Sequence, residues 1–413
     1  MTAKFICSIL ILLVFLISNC SQNPGSKITA ITTPAPAPTP PTQTANTVKK
    51  IEKKRIEISA TRLKNAKERI AKVVFHSNLL WTLGQNGVLL QTDLAKKRAE
   101  LFEYAGYVAD VYVGDKNELY LLTGDVADAL VWRILKKDGD GWSEISTLKI
   151  DREQEKKGEN TREIIGLTEY ANRFLVLSKT KIYLQEKGDD WKTVNLQTKG
   201  NLGLQTPFAA TDDGFLYIGL NHGEFGGGLQ RISLKDGSAQ NIEKKTTGKI
   251  CARPLDSRCD PVTAVVKDAE NSDAVIVAVG LRHFSEQGRI VKVSGGNVDV
   301  IFNKTYKYDE KSRKVVPENA CDGENEPNNL DNFESEGVFG MQSADGDILL
   351  VTGRAIYKLA DGKIADCSPL PQKFENVGGI AVNESVPGVF LIGTDINWAK
   401  SLSGVTPLIA VKH

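Results

Sequence analysis

Two of the four histidines in this 413-residue chain occupy matching positions. Gly219-Leu220-Asn221-His222-Gly223-Glu224 runs into Phe225, three glycines and Leu229-Gln230-Arg231-Ile232, while Gly280-Leu281-Arg282-His283 runs into Phe284-Ser285-Glu286-Gln287-Gly288 and Arg289-Ile290-Val291. Three kinds of chemistry fit this pattern. Neutral imidazoles of His222 and His283 near Glu224 and Glu286 can ligate a divalent transition metal. The same imidazole and carboxylate pairs can serve as base and acid. Alternatively each histidine caps its own loop through backbone hydrogen bonds, and Asn221, His222, Glu224, Arg282, His283 and Arg289 form a polar set that binds a ligand without reacting with it. Gly226-Gly227-Gly228 permits close backbone approach, but no helix follows to make a dinucleotide loop.

A second chemistry-bearing stretch runs from Cys321 to Glu336. Asp322, Glu324, Glu326 and Asp331 supply oxygen donors dense enough to wrap Ca²⁺, although their spacing is not that of an EF-hand. A solvated acidic loop is the competing reading. Outside the first twenty residues the cysteines are Cys251, Cys259, Cys321 and Cys367, an even set that suits disulfides. Cys251 and Cys259 enclose a short loop and are expected to pair, which leaves Cys321 with Cys367. The spacing does not suggest a thiolate metal site.

These residues must be positioned by a repeating scaffold. Seven times between Leu80 and Gly393 a short apolar run ends at a small residue, as in Leu119-Tyr120-Leu121-Leu122-Thr123-Gly124 and Leu216-Tyr217-Ile218-Gly219. A period of roughly 40 residues or more, with short strands and little helix, predicts a single all-β domain, a β-propeller. Seven blades are expected, with six or eight as the alternatives. In the second blade, strands are expected at 109–113, 119–123, 130–136 and 142–148, separated by turn-forming Gly114-Asp115-Lys116-Asn117 and Lys137-Asp138-Gly139-Asp140-Gly141. Trp142 and Trp191 then begin corresponding outer strands and seal each blade against its neighbour. Residues 54–59 are expected to complete the last blade and close the ring by pairing the termini. A short helix is expected over 64–72.

Two spacings exceed the period, placing extra residues at 244–261 and 306–336. Both lie between the outer strand of one blade and the inner strand of the next, on the side of the disc that also carries the loops of the two histidines. Long loops on a rigid frame commonly carry binding function.

The N-terminus is expected to be processed. Lys4 precedes an apolar stretch at 5–17, then Ser18-Asn19-Cys20. Residues 1–19 read as a signal peptide too short to span a bilayer comfortably. The pattern resembles a bacterial lipoprotein signal, which implies a lipid on Cys20. Residues 20–50, with Pro34-Ala35-Pro36-Ala37-Pro38-Thr39-Pro40-Pro41, read as an extended Pro/Thr-rich tether, and 51–413 as the propeller. Net charge is +1, so no long-range field would draw the protein to nucleic acid.

The repeat resembles the broad class of bacterial β-propellers over most of the mature chain, and the address resembles that of propeller lipoproteins that assist outer-membrane protein assembly. Gly280-Leu281-Arg282 is similar to a loop of quinone-dependent sugar dehydrogenases, from which His283-Phe284 departs. The resulting expectation is an extracytoplasmic, membrane-tethered, monomeric binding module that grips a protein, peptide or glycan through the loops of blades four to six. The alternative is an extracytoplasmic enzyme, a quinone- or metal-dependent oxidoreductase, hydrolase or lyase, built on the paired histidines.

Overall fold

The computed structural model describes residues 52–57, 70–93, 96, 98–104, 106–127, 129–151, 164–198, 200–247, 251, 253–282, 286–309, 311, 314–316, 319–329, 335–344, 347–369, 377–383, 388–393 and 408–411. The expected signal peptide, Cys20 and the tether through residue 50 lie outside them.

Alternating apolar residues punctuated by glycine, asparagine and aspartate turns produce strands and hairpins throughout. The first sheet comprises β1 (Glu52–Glu57), β2 (Ile70–His76), β3 (Leu79–Gly84), β4 (Leu89–Asp93) and β5 (Arg98–Glu103). The second comprises β6 (Tyr107–Val113), β7 (Leu119–Gly124), β8 (Val131–Asp138) and β9 (Gly141–Lys149). The third comprises β10 (Ile164–Tyr170), β11 (Arg173–Ser178), β12 (Lys181–Lys187) and β13 (Asp190–Asn195). The fourth comprises β14 (Phe208–Thr211), β15 (Phe215–Asn221), β16 (Gly227–Ser233) and β17 (Ala239–Ile242).

A small hairpin of β18 (Lys244–Lys245) and β19 (Pro254–Leu255) precedes the fifth sheet, formed by β20 (Val262–Lys267), β21 (Ala274–Arg282), β22 (Glu286–Ser294) and β23 (Asn297–Phe302). Another, β24 (Lys307–Asp309) with β25 (Lys314–Val316), precedes the sixth, formed by β26 (Val338–Ala344), β27 (Asp347–Thr352), β28 (Ala355–Ala360) and β29 (Lys363–Pro369). A three-stranded sheet of β30 (Val377–Asn383), β31 (Gly388–Gly393) and β32 (Leu408–Val411) ends the described chain.

From β2 onward, each sheet is an antiparallel meander in chain order. The first strands of successive sheets, β2, β6, β10, β14, β20 and β26, lie side by side, and β30 neighbours both β26 and β2. This is the inner ring of a β-propeller, with six sheets of four or five strands as complete blades.

The buried clusters show why the ring holds together. Leu175, Leu177 and Ile182 of blade three pack with Leu216, Ile218 and Ile232 of blade four, and Leu229 of blade four packs with Val277 and Val291 of blade five. The apolar core is therefore distributed between successive blades, where each sheet buries its apolar faces against its neighbours. Trp142 meets Trp81 of blade one edge to face, with ring centroids 5.7 Å apart, and Trp191 donates through Nε1 to the Thr147 carbonyl of blade two at 3.0 Å. Both tryptophans thus seal neighbouring blades as their outer-strand positions predict.

The glycines near the ends of two second strands, β15 and β21, have a physical cause. A Cβ on Gly219 would stand 2.4 Å from Val262 Cγ1, and one on Gly280 would stand 2.0 Å from the Val338 carbonyl oxygen. Both neighbours belong to the inner strand of the next blade, so a side chain would push adjacent blades apart.

Two expectations are corrected. Strand β1 pairs antiparallel with β5, from Glu52 opposite Glu103 to Glu57 opposite Arg98, so it widens the first blade instead of completing the last. Its polar pattern suits any outer edge, and nothing local selects the partner. The expected helix over 64–72 overlaps β2, where Ile70 pairs with Gly84 and Lys72 with Leu83. Pairing to a buried strand overrides helix propensity there, and 64–69 lie outside the described residues.

Candidate functional site

The hairpin between β15 and β16 carries the first histidine. Asn221 ends β15 and its Oδ1 accepts from Gly223 N at 3.0 Å, while His222 N donates to the Gly226 carbonyl at 2.8 Å. One short 3-10 turn, Gly223–Phe225, closes the tip. Asn221, His222 and Glu224 are exposed, and Phe225 stands 79% exposed beside them.

The glycine triplet anchors this tip to the first insertion. Gly227 N donates to the Ser257 carbonyl at 3.0 Å and Gly228 N to the Asp260 carbonyl at 2.8 Å. Gly226 and Gly228 have φ of 85° and 86°, and a Cβ on them would approach the Arg258 carbonyl carbon to 2.4 Å and Ser257 Cα to 2.7 Å. Only glycine meets both demands.

The first insertion is itself locked. Cys251 is bonded to Cys259, with Cα atoms 5.2 Å apart. The buried Asp256 carboxylate accepts from the Cys251 and Arg258 amides at 3.1 and 3.0 Å and faces Lys245 Nζ at 3.3 Å. Burial pushes that carboxyl up, yet Arg258 and Lys245 hold it below the usual aspartate range. Asp260 accepts the Asp256 amide at 2.7 Å and pairs with Arg289 Nη2. Arg289 also donates through Nε to the Pro254 carbonyl at 2.5 Å.

Arg289, expected to bind a ligand, has a structural role in this arrangement. It is 0% exposed, rises from β22 of blade five, and fastens the insertion to that blade. Glu286 is likewise buried: its Oε1 accepts from Gly337 N at 3.1 Å and its carbonyl from Ser335 N at 3.1 Å. Both residues hold insertions down, because folded insertions cover the end of β22 that a bare hairpin would expose.

The second insertion repeats the principle. Ser335 Oγ accepts from Gly288 N at 3.0 Å and donates to its carbonyl at 2.9 Å, and Asn325 Nδ2 donates to the Ile301 and Gly362 carbonyls at 2.8 and 3.2 Å. Cys321 is bonded to Cys367 of β29, with Cα atoms 5.7 Å apart. Glu326 accepts from Thr305 Oγ1 and from Asn329 Nδ2 at 3.0 Å, and Asp322 from Asn319 Nδ2 at 3.1 Å. Two of the expected calcium donors thus serve the loop's own hydrogen bonds. Asp331, like His283, lies outside the described residues, and Arg282 ends β21. Among the described residues no group of three or more His, Cys, Asp or Glu side chains is arranged to hold a metal ion.

The structure thus gathers Asn221, His222 and Glu224 on one exposed turn, packed beside β21 of the next blade, and separates them from buried Glu286 and Arg289. It also assembles a group that sequence reasoning missed. Lys304, Glu336 and Tyr357 are buried together under the second insertion, at 2%, 0% and 0% exposure, with Arg354 Nη1 3.8 Å from Glu336 Oε1. Isolated charged residues 32 positions apart gave no motif to find.

No protein-family model and no curated protein sequence matches the chain. Among solved structures it is similar to YCF48 bound to D1 peptide, at 13% identity and a TM-score of 0.45, over 85% of this chain and 98% of that one. It is similar to the WD40 propeller domain of Doa1 at 11% identity and a TM-score of 0.44, over 84% and 94%. The extracellular domain of a hybrid two component system from B. thetaiotaomicron matches at 13% identity and a TM-score of 0.44. This chain spans only 39% of that structure's length and 38% of a second structure of a B. thetaiotaomicron extracellular domain.

Proposed function

We propose that the chain is an exported, membrane-tethered β-propeller that binds a protein or peptide, without catalysis, through the side of the disc carrying the two insertions. One observation carries this reading: Phe225 stands 79% exposed on a turn immobilised by its glycines against a disulfide-closed insertion. A rigid exposed aromatic loses little conformational entropy on binding and supplies a large contact area, as interface anchors do. Asn221, His222 and Glu224 give that anchor a polar rim.

Two disulfides support export. Residues 1–19 act as the signal peptide, Cys20 carries the lipid, 20–50 form the tether and 51–413 the propeller. The three-stranded sheet is its seventh blade. Supporting this, β30 shows the register shift between Val377 and Gly379 that recurs between Ile70 and Lys72, Val108 and Asp110, Ile164 and Gly166, Val262 and Ala264, and Val338 and Gly340. A bulge repeated at the same place in the inner strands of five of the six complete blades, all but the fourth, marks one structural unit.

The test is photocrosslinking from position 222 or 224 of the anchored protein in its native cells. A discrete protein adduct is expected, reduced at least ten-fold by Phe225→Ser with no change in melting temperature. Adducts formed only from the outer strands, such as β9 or β13, would overturn the choice of face. Stoichiometric metal in the purified mature protein, lost in both His222→Ala and His283→Ala, would replace this reading with the enzymatic one.

A further inference from the structure

Tyr357 Oη lies 2.8 Å from the Ala320 carbonyl oxygen and 2.9 and 2.8 Å from the two carboxyl oxygens of Glu336. A phenol has one proton to donate. Were Glu336 ionised, it could only accept, and Tyr357 would satisfy either it or Ala320, leaving two buried oxygens in contact with no hydrogen between them. Were Glu336 protonated, it would donate to Tyr357, whose own proton would go to Ala320.

We infer that Glu336 is a neutral carboxylic acid in the folded protein, and that its proton fastens the second insertion to blade six. Glu336 precedes β26, Tyr357 lies on β28, and Ala320 is the residue before disulfide-bonded Cys321, so this chain of two hydrogen bonds joins the insertion to the blade it covers. The inference is independent of the binding role proposed above.

The groups facing Glu336 bear on its charge. Lys304, following β23, is buried with no hydrogen-bond partner at Nζ, which stands 5.0 Å from the centre of the Tyr357 ring. Arg354 approaches from the β27–β28 turn at 3.8 Å, too far for a hydrogen bond, and the Thr352 hydroxyl faces the carboxyl from β27. Glu286 of β22 and Asp322 of the insertion add negative charge to the surroundings. Burial raises the Glu336 carboxyl against the opposing pull of Tyr357, Thr352, Lys304 and Arg354, and burial lowers the Lys304 ammonium. Both directions favour the uncharged forms.

Ionisation would set Ala320 and the carboxylate in competition for one proton and release the Ala320–Cys321 segment. The deciding measurement is carbon NMR and infrared spectroscopy of the whole mature domain with ¹³C-labelled glutamate. One glutamate side chain is expected to give a protonated-carboxyl signal at pH 7, and Glu336→Gln, which keeps an uncharged donor, is expected to lack it. Amide exchange over 319–322 and 335–337, corrected for the intrinsic pH effect, should then speed at least ten-fold at alkaline pH in the wild type and stay unchanged in Glu336→Gln. Wild-type spectra with every glutamate ionised at pH 7 would overturn the inference, whether or not the variant folds. So would alkaline loosening that persists in Glu336→Gln.

Discussion

Replacing Cys321 and Cys367 together by alanine, and separately Cys251 with Cys259, compares two crosslinks in one scaffold. The bonds span sequence separations of 46 and 8 residues. In the chain-entropy treatment, the lost constraint on the unfolded chain is worth about 4.0 kcal/mol for the longer loop and about 2.5 kcal/mol for the shorter. The longer bond should therefore contribute about 1.5 kcal/mol more, although both join residues about equally far apart in space. The assay is guanidinium unfolding of the propeller domain followed by fluorescence of its tryptophans, with free energies from linear extrapolation. The slope with denaturant should rise in both variants, more for Cys321→Ala/Cys367→Ala, because a longer stretch of unfolded chain becomes free to expand. A larger loss on removing Cys251–Cys259 would refute the entropic reasoning. It would mean that this bond acts by holding the Asp256–Asp260–Arg289 network in place.

Other perturbations read individual contacts. Arg289→Met removes the buried cation paired with Asp260 and should cost about 3–5 kcal/mol in the same unfolding assay. Trp142→Ala removes the edge-to-face contact with Trp81 and should cost about 3 kcal/mol, with amide exchange speeding first in blades one and two. Lys304→Met keeps the packed stem and removes a buried amine that has no hydrogen-bond partner, so stability at pH 7 should rise by about 1–3 kcal/mol. Because burial lowers the Lys304 pKa, folding disfavours its ammonium form and costs stability wherever the unfolded side chain is charged. The gain from Lys304→Met should shrink as pH rises toward the ordinary lysine value of 10.5, and thermal melts across that range check the sign.

The blades were legible where local chemistry decides. Turn residues bracket each strand of blade two, so its strands fall within two residues of expectation, and Trp142 and Trp191 occupy the outer strands as anticipated. Gly219 and Gly280 were visible as part of a rhythm, although their reason, the approach of Val262 and Val338 from the following blade, is not local. The burial of Arg289 and Glu286 was hidden for the same cause. Alternation along β22 cannot reveal that chain from residues 254–260 and 335–337 will cover its end. The partner of β1 was equally hidden, since two outer edges would accept the same charged strand. Lys304, Glu336 and Tyr357 meet only through the fold, and no pairwise spacing announces them.

The antiparallel register of β1 has a mechanical consequence. Glu52 lies opposite Glu103, the last residue of β5, from which the chain crosses to β6. The other outer-to-inner crossings on that side include both insertions, at blades four to five and five to six. Tension delivered through the N-terminus would thus enter the disc on the side bearing Phe225, but near blade one, across the ring from it. A load on that aromatic tip and a pull on β1 would form a couple that tilts the disc, and the six residue pairs joining β1 to β5 would resist as the first bonds in line.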